Sequence, residues 1–303
     1  MKADLLILDG RNLLWRTSDA FKTLSATVNG KEIGVGGIYG FLLSSIRIHQ
    51  RYGGRVVVAW EGTGNFRYKL YPKYKAKRPT DQAYQDILIE INDQERRLQA
   101  ILRSMGVAQY LGVDCEADDV MGRLAGLEWP RDRNTTIIYT GDSDLRQLVN
   151  SRITVVSPGY RGKDVVYGRQ EVHAKHGVYP EYIADQKALA GDSSDNIPGI
   201  RGIGPKTANK LIHTYGGIED IIAGADRNLG WPVAERFLKP IVDGRDDIRL
   251  YKKLTTIWIN CKMTQIKPRR NHFTLLNHLR GYGFQSLGMP AEQRALLRMA
   301  GSQ

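Results

Sequence analysis

Acidic residues gather in five short, widely separated stretches: Ile7-Leu8-Asp9-Gly10, Ala59-Trp60-Glu61-Gly62, Glu116-Ala117-Asp118-Asp119, Thr140-Gly141-Asp142-Ser143-Asp144 and Gly191-Asp192-Ser193-Ser194-Asp195-Asn196. Each lies where an apolar run stops or a helix should start. Carboxylates brought together repel one another unless cations lie between them, so acids placed beside buried runs point to a divalent-metal site. The nine carboxylates Asp9, Glu61, Glu116, Asp118, Asp119, Asp142, Asp144, Asp192 and Asp195 suffice for two Mg2+ or Mn2+ ions about 4 Å apart. Such a pair generates hydroxide from water and stabilises charge on the attacking and leaving oxygens of a phosphate ester. Calcium loops take their ligands from one local segment, whereas these acids are spread along the chain.

Bringing them together requires a sheet. Residues 5–8, 56–60 and 135–139 are short, β-branched-rich apolar runs without alternation, as expected of strands covered on both faces. Between them, Ile38, Phe41, Leu42 and Ile46, and then Ile87, Ile91, Leu98, Leu102 and Met105, recur at helical spacing. Strands alternating with helices predict an α/β fold with a mostly parallel central sheet, whose ligands sit beyond the carboxyl ends of the strands. Asp9, Glu61 and Asp142 then meet at one edge. Residues 117–127 read as a helix with Leu124 and Leu127 inward and acids in its first turn, where the helix dipole also favours them. A short helix over 145–149 and a strand pair from 153–156 and 165–167 complete a core domain of residues 1–179. The pattern over 180–303 is helical.

The remainder of the chain is basic: 44 Lys and Arg against 32 Asp and Glu in 303 residues give a net charge of +12, which favours a polyanionic partner. Arg67, Lys69, Lys73, Lys75, Lys77 and Arg78 run without an acid and alternate with Tyr68, Tyr71 and Tyr74. Cations for phosphates and aromatic faces for unstacked bases are the ingredients of single-strand binding. Gly199-Ile200-Arg201-Gly202-Ile203-Gly204-Pro205-Lys206-Thr207 reads as the turn of a helix-hairpin-helix over about 192–215. Its glycines let backbone approach a phosphate, the helix N-terminus offers free N–H groups, and Lys206 and Lys210 reinforce both. Cys115 and Cys261 lack Cys-x-x-Cys spacing and read as reduced packing residues. No run approaches the roughly 18 apolar residues of a membrane span, and the first residues lead straight into a strand, so the expected address is the cytoplasm, with no membrane partner.

Taken together, these motifs resemble the 5′ nuclease family: the flap endonucleases and the 5′ to 3′ exonuclease domains attached to bacterial DNA polymerase I or encoded alone by bacteriophages. The similarity covers about residues 4–250. It rests on Phe66-Arg67 with Tyr74-Lys75-Ala76-Lys77-Arg78, on Glu116-Ala117-Asp118-Asp119-Val120, on Thr140-Gly141-Asp142-Ser143-Asp144-Leu145, and on Gly191-Asp192-Ser193-Ser194-Asp195-Asn196-Ile197-Pro198-Gly199. The resemblance implies a PIN-like nuclease core, a helical arch over about 67–105 and a duplex-binding hairpin that holds K+. It implies one metal on Asp9, Glu61, Glu116 and Asp118, a second on Asp142, Asp144 and Asp195 with help from Asp118, and Asp119 and Asp192 acting through water or from the outer shell. Lys75 and Arg78 become the catalytic basic pair with Tyr74 beside them. Arg67, Lys73, Lys77, Gly202, Gly204, Lys206, Thr207 and Lys210 become DNA contacts. The family's usual Asp after the second strand is here Glu61, one methylene longer. The implied activity is metal-dependent hydrolysis of DNA at 5′ flaps, forked or nicked duplex and RNA primers by a monomer, in a host cytoplasm if phage-encoded. The competing readings are a DNA-junction binding protein with weak or lost catalysis and a PIN-type RNA nuclease.

Overall fold

The structure, a computed structural model, describes residues 1–127, 135–227 and 232–301. Its strands are β1 (Leu5–Asp9), β2 (Ser25–Val28), β3 (Lys31–Gly34), β4 (Arg55–Thr63), β5 (Ala108–Val113), β6 (Thr136–Tyr139), β7 (Ile153–Ser157), β8 (Val165–Tyr167) and β9 (Lys262–Ile266). The main sheet has the order β8-β7-β6-β1-β4-β5-β9, and β2 with β3 forms a separate hairpin. The five inner strands are parallel, while β8 and β9 close the two edges antiparallel. The α/β architecture expected from the strand spacing is therefore present.

Side-chain alternation along the buried strands divides the apolar residues into two layers. Ile7, Val57, Ala59, Ile138 and Val155 pack with Val120, Met121 and Leu124 of helix Ala117–Gly126 and with the helices that follow residue 178. Leu6, Leu8, Val56, Val58 and Trp60 pack instead with Ile38, Phe41 and Leu42 of helix Gly36–Tyr52 and with Ile91, Leu98, Leu102 and Met105 of helix Gln82–Met105. Two residues depart from the expected core. Ile87 is exposed because the first turns of the long helix project beyond the sheet, and Leu127 is exposed as the residue that caps its helix.

Residues after Thr255 return to the sheet. Strand β9 pairs with β5, and Leu275, Leu279 and Leu296 of the last helices, with Met299 just after them, join the second apolar layer. The Lys262-Met263-Thr264-Gln265-Ile266 edge is too polar and too short to stand out by periodicity, and β5 is similarly mixed.

Register aligns the ends of the three central strands. Asp9 of β1 lies opposite Ala59 of β4, and Leu8 lies opposite Tyr139 of β6. Between Trp60 and Thr63 the pairing with β5 shifts by one residue. Bulges of this kind bend a strand and re-aim a side chain, here Glu61. Gly62 in the bulge is packed so closely that a Cβ would lie 1.6 Å from the Gly112 carbonyl oxygen. Gly62→Ala is therefore expected to lose about 1–3 kcal/mol in urea denaturation. Gly126→Ala, where a Cβ meets nothing within 4 Å, should be neutral or slightly stabilising.

Candidate metal centre

Beyond the carboxyl ends of β1, β4 and β6 lies an acid-lined groove in two connected halves. One, of about 550 Å³, is lined by Asp118, Asp142, Asp144, Asp192 and Asp195 together with Lys75, Arg78 and Pro205. The other, of about 940 Å³, is lined by Asp9, Glu61, Glu116, Asp118 and Asp142 and runs under Tyr84, Leu88 and Arg96 of the long helix. Asp118, Asp142, Lys75 and Arg78 border both halves. Eight of the nine acids singled out in the sequence thus face one groove.

Local hydrogen bonds fix their positions. Asp9 caps helix Gly10–Ala20, accepting the Asn12 amide at 3.1 Å and the Thr140 hydroxyl at 2.7 Å. The Thr140 oxygen accepts the Asp142 amide at 2.9 Å, and the Asn12 side chain accepts the Gly141 amide at 3.0 Å. One hydroxyl therefore ties the end of β1 to the loop after β6. Asp142 in turn accepts the Asp144 amide at 2.8 Å. Asp144, Asp192 and Asp195 bring carboxylate oxygens within 4.8 Å of one another.

Burial raises the Asp9 carboxyl to about 6; hydrogen bonds from Thr140 and Asn12 oppose the shift, and Asp142 and Glu61 reinforce it. Burial and the neighbouring acids Asp142, Glu116, Asp9 and Asp144 push Asp118 well above the carboxylate range. Burial and then Asp144 push Asp142 upward. Burial also raises Asp195, against the pull of Lys75 and Tyr74. A group of carboxyls all shifted this way is short of positive charge, and hard divalent cations with oxygen ligands supply it. The donor set fits such ions.

The turn bearing Tyr74 and Lys75 is stitched into the same groove. The Lys75 amide donates to the Asp195 carbonyl at 2.9 Å, and the Asn196 side chain donates to the Lys73 carbonyl at 2.8 Å. Lys75 pairs with Glu116 and lies 3.8 Å from Asp195. The buried Tyr74 hydroxyl sits 3.0 Å from Glu116 and 2.8 Å from Asp195. A phenol has one proton for these two acceptors, and the Arg67 guanidinium lies 3.4 Å from the same Glu116 oxygen. Arg78, Lys73 and Lys77 are exposed beside the groove.

Two residues have roles other than those expected. The resemblance implies that Asp119 acts through water or from the outer shell of the metal site and that Arg67 contacts DNA. Both are buried, and they hold each other: the Arg67 guanidinium meets the two Asp119 oxygens at 2.6 and 2.9 Å. Asp119 also accepts the Glu116 amide at 3.0 Å and the Trp258 amide at 2.7 Å, which leaves it fully engaged. Arg67 donates onward to the carbonyls of Leu254 at 2.8 Å and Thr256 at 2.9 Å, and it lies 3.4 Å from Glu116. The pair fastens helix Phe66–Leu70, helix Ala117–Gly126 and the returning C-terminal segment to one another. A motif pattern cannot distinguish a basic residue reaching solvent from one whose partner lies on a distant element.

Lys187 went unrecognised in the sequence. It pairs with Asp144 and reaches Asp192 at 2.6 Å. Burial raises the Asp192 carboxyl, yet Lys187 and the Ser194 donors bring it below its ordinary value. The available signal was a lone cation in helix Ile183–Ala190, four residues before the Gly191-Asp192 stretch.

The hairpin glycines and Lys206, Thr207 and Lys210 lie beyond this loop. Helix Pro205–Tyr215 starts with Gly204 as its cap and Pro205 in its first turn. Ile200 and Ile203 are buried beneath the turn, Gly202 has φ +84° and is exposed, and Lys206 and Lys210 are exposed. Asp192 and Ile197 exchange two backbone hydrogen bonds, 2.7 and 2.8 Å, so the loop carrying Asp192 and Asp195 passes directly into the hairpin. Gly199, at φ +64°, crosses so close to Gly191 that a Cβ would lie 2.3 Å from its nitrogen. Acids and hairpin therefore move as one unit.

Comparison with known proteins identifies relatives. Residues 4–177 match the family described as the 5′-3′ exonuclease N-terminal resolvase-like domain, and residues 178–273 match the 5′-3′ exonuclease C-terminal SAM fold. The chain is 35% identical over 220 residues to the 5′-3′ exonuclease of Aquifex aeolicus, covering 72% of each. It is 33% identical over 260 residues to DNA polymerase I of Bacillus caldotenax, covering 85% of this chain and 28% of the polymerase. Among solved structures, the bacteriophage T5 flap endonuclease, in a pseudo-enzyme–product complex with DNA and metal ions, superposes with a TM-score of 0.66 at 17% identity, covering 98% of this chain and 99% of that one.

Two outcomes follow from the geometry. Arg67→Met leaves Asp119 buried without its cation and should cost about 3–5 kcal/mol in urea denaturation; adding Asp119→Leu should recover little of the loss, because the Glu116 and Trp258 amides then lose their acceptor. In the metal-free protein Asp9 should titrate near pH 6 by carboxyl carbon NMR. Its folded form then binds a proton more readily than the unfolded chain, so this group's contribution to stability falls as pH rises from about 4 to about 6. Asp9→Asn should remove that part of the slope.

Proposed function

The chain belongs to the 5′-3′ exonuclease family, and on that premise we propose that it is a Mg2+- or Mn2+-dependent, structure-specific 5′ nuclease acting on DNA. The observation that carries this reading is the groove itself, where eight acids from five stretches face Lys75 and Arg78 at the ends of the central strands. The chain spans 28% of the length of the DNA polymerase I relative, so its activity is argued from its own residues.

Asp9, Glu61, Glu116 and Asp118 would hold one ion, and Asp142, Asp144 and Asp195 the other with help from Asp118. Asp192 acts from the outer shell, and the bulge at Glu61 re-aims its longer side chain toward the first site. When bound, the ions supply the charge that polarises a phosphate ester and lowers the pKa of a water. The chain's own residues do the rest. Lys75 and Arg78 draw the scissile phosphate into the groove and neutralise its non-bridging oxygens. Tyr74 fixes Glu116 and Asp195 through its hydroxyl. The long helix roofs the half of the groove lined by Asp9 and Glu61, a path for an unpaired 5′ strand, and Lys73 and Lys77 flank the entrance. Backbone amides around Gly202 and Gly204, with Lys206, Thr207 and Lys210, grip the phosphates of adjoining duplex, and the turn would hold a K+ ion that adds positive charge there. The substrates on this reading are 5′ flaps, forked or nicked duplex and RNA primers on DNA, handled by a monomer as flap endonuclease and 5′ to 3′ exonuclease.

The test is cleavage of a 5′-end-labelled flap duplex by metal-stripped protein before and after adding Mg2+. Release of the flap near the junction only with metal supports the reading, and tight binding without cuts in either Mg2+ or Mn2+ overturns it in favour of a junction-binding protein. Asp118→Ala and Asp142→Ala should abolish cleavage while keeping binding within about tenfold, and Lys75→Ala should slow single-turnover hydrolysis.

A further inference from the structure

The end of the sheet opposite the acid groove carries a second basic surface. Strand β9 runs antiparallel to β5, from Lys262 beside Val113 to Ile266 beside Gln109, so the residues after Ile266 emerge at the amino ends of the parallel strands. There they meet the C-terminal end of helix Gln82–Met105, whose 24 residues span roughly 36 Å from the groove end. Backbone hydrogen bonds from Arg269 to Arg103 (3.0 Å) and from Asn271 to Ser104 (2.8 Å) dock the segment rigidly on that helix end. Arg103, Lys267, Arg269 and Arg270 are all exposed. The contacts made by Arg103 and Arg270 are to carbonyls, Lys267 at 3.3 Å and Leu297 at 3.2 Å, and among the described residues none of the four cations is paired with a carboxylate. Residues 248–291 contain eight Lys and Arg and no Asp or Glu. A solvated face normally mixes both signs. Guanidinium groups held at fixed positions suit phosphates in particular.

A second, independent feature stands beside them. Phe273, in the first turn of helix His272–Gly281, is 73% exposed, while the opposite face of that helix buries Leu275 and Leu279. An aromatic ring presented to solvent next to unpaired cations offers a stacking face for a base, and only an unpaired base can use it.

We propose that Arg103, Lys267, Arg269, Arg270 and Phe273 form a binding surface for single-stranded nucleic acid, separate from the groove and the hairpin. The four cations follow the phosphates and Phe273 stacks one base. A strand held there is anchored at the far end of the long helix from the groove. This does not depend on the nuclease reading, because binding is read without divalent metal.

The test uses an oligothymidylate of about 20 nucleotides, fluorescently labelled, with protein in EDTA. Arg269→Glu/Arg270→Glu should weaken binding about tenfold or more and reduce the slope of log affinity against log salt by about 1.4. Phe273→Ala should weaken binding to the single strand roughly fivefold or more and leave binding to a blunt duplex unchanged. Photocrosslinking with iodouracil-substituted oligonucleotide should label Phe273. Unchanged affinity and salt slope in the double variant, equal losses on single strand and duplex for Phe273→Ala, or no crosslink in the segment 267–273 would each overturn the proposal. Circular dichroism melts matching the wild type show that these exposed substitutions leave the fold intact.

Discussion

Mutual repulsion among carboxylates is the constraint around which this molecule is arranged. Left to themselves, Asp9, Asp118 and Asp142 would move apart or take up protons, and burial makes both tendencies stronger. What prevents separation is a stiff frame: central strands in register, a shared Thr140 hydroxyl between two of the loops, and a helix whose first turn is fixed from behind by Arg67. The free energy of holding like charges together comes from the two apolar layers that the sheet buries. The groove is therefore pre-formed and electrostatically unsatisfied, which is the state in which a cation site has its greatest affinity.

The cations of the chain divide the work by depth. Arg67 is fully enclosed and serves the frame. Lys75 and Lys187 are half-buried, each paired with acids of the groove, and set its local potential. Arg78, Lys73, Lys77, Lys206 and Lys210 are exposed and meet solvent or a polyanion. Net charge alone does not separate these classes, since each contributes the same unit to the total.

Much of this was legible in the sequence because the governing rules are local. An apolar run ending in an acid marks a strand terminus, and a glycine-rich turn followed by proline marks a helix start, so the sheet, the groove acids and the hairpin could be placed from short windows. Reading failed where the deciding partner was far away in the chain. Arg67 looked like its solvent-facing neighbours until its acceptors proved to come from residues 119, 254 and 256. The cation that engages Asp119 is equally remote, since Arg67 lies 52 residues earlier in the chain. Strand β9 is recognisable only beside β5, and Ile87 keeps a helical spacing that the core does not extend far enough to use.

The carbonyls that complete Arg67 belong to residues 254 and 256, and the strand that seals the β5 edge ends at residue 266. During synthesis strands β1 to β8, the long helix and all the groove acids leave the ribosome well before these acceptors do. Until then the guanidinium beneath Glu116 has only part of its partners and one sheet edge is open. The nascent protein thus completes its acidic groove late, at the step when the residues from 254 onward fold back, a built-in delay between making the parts of the groove and assembling them.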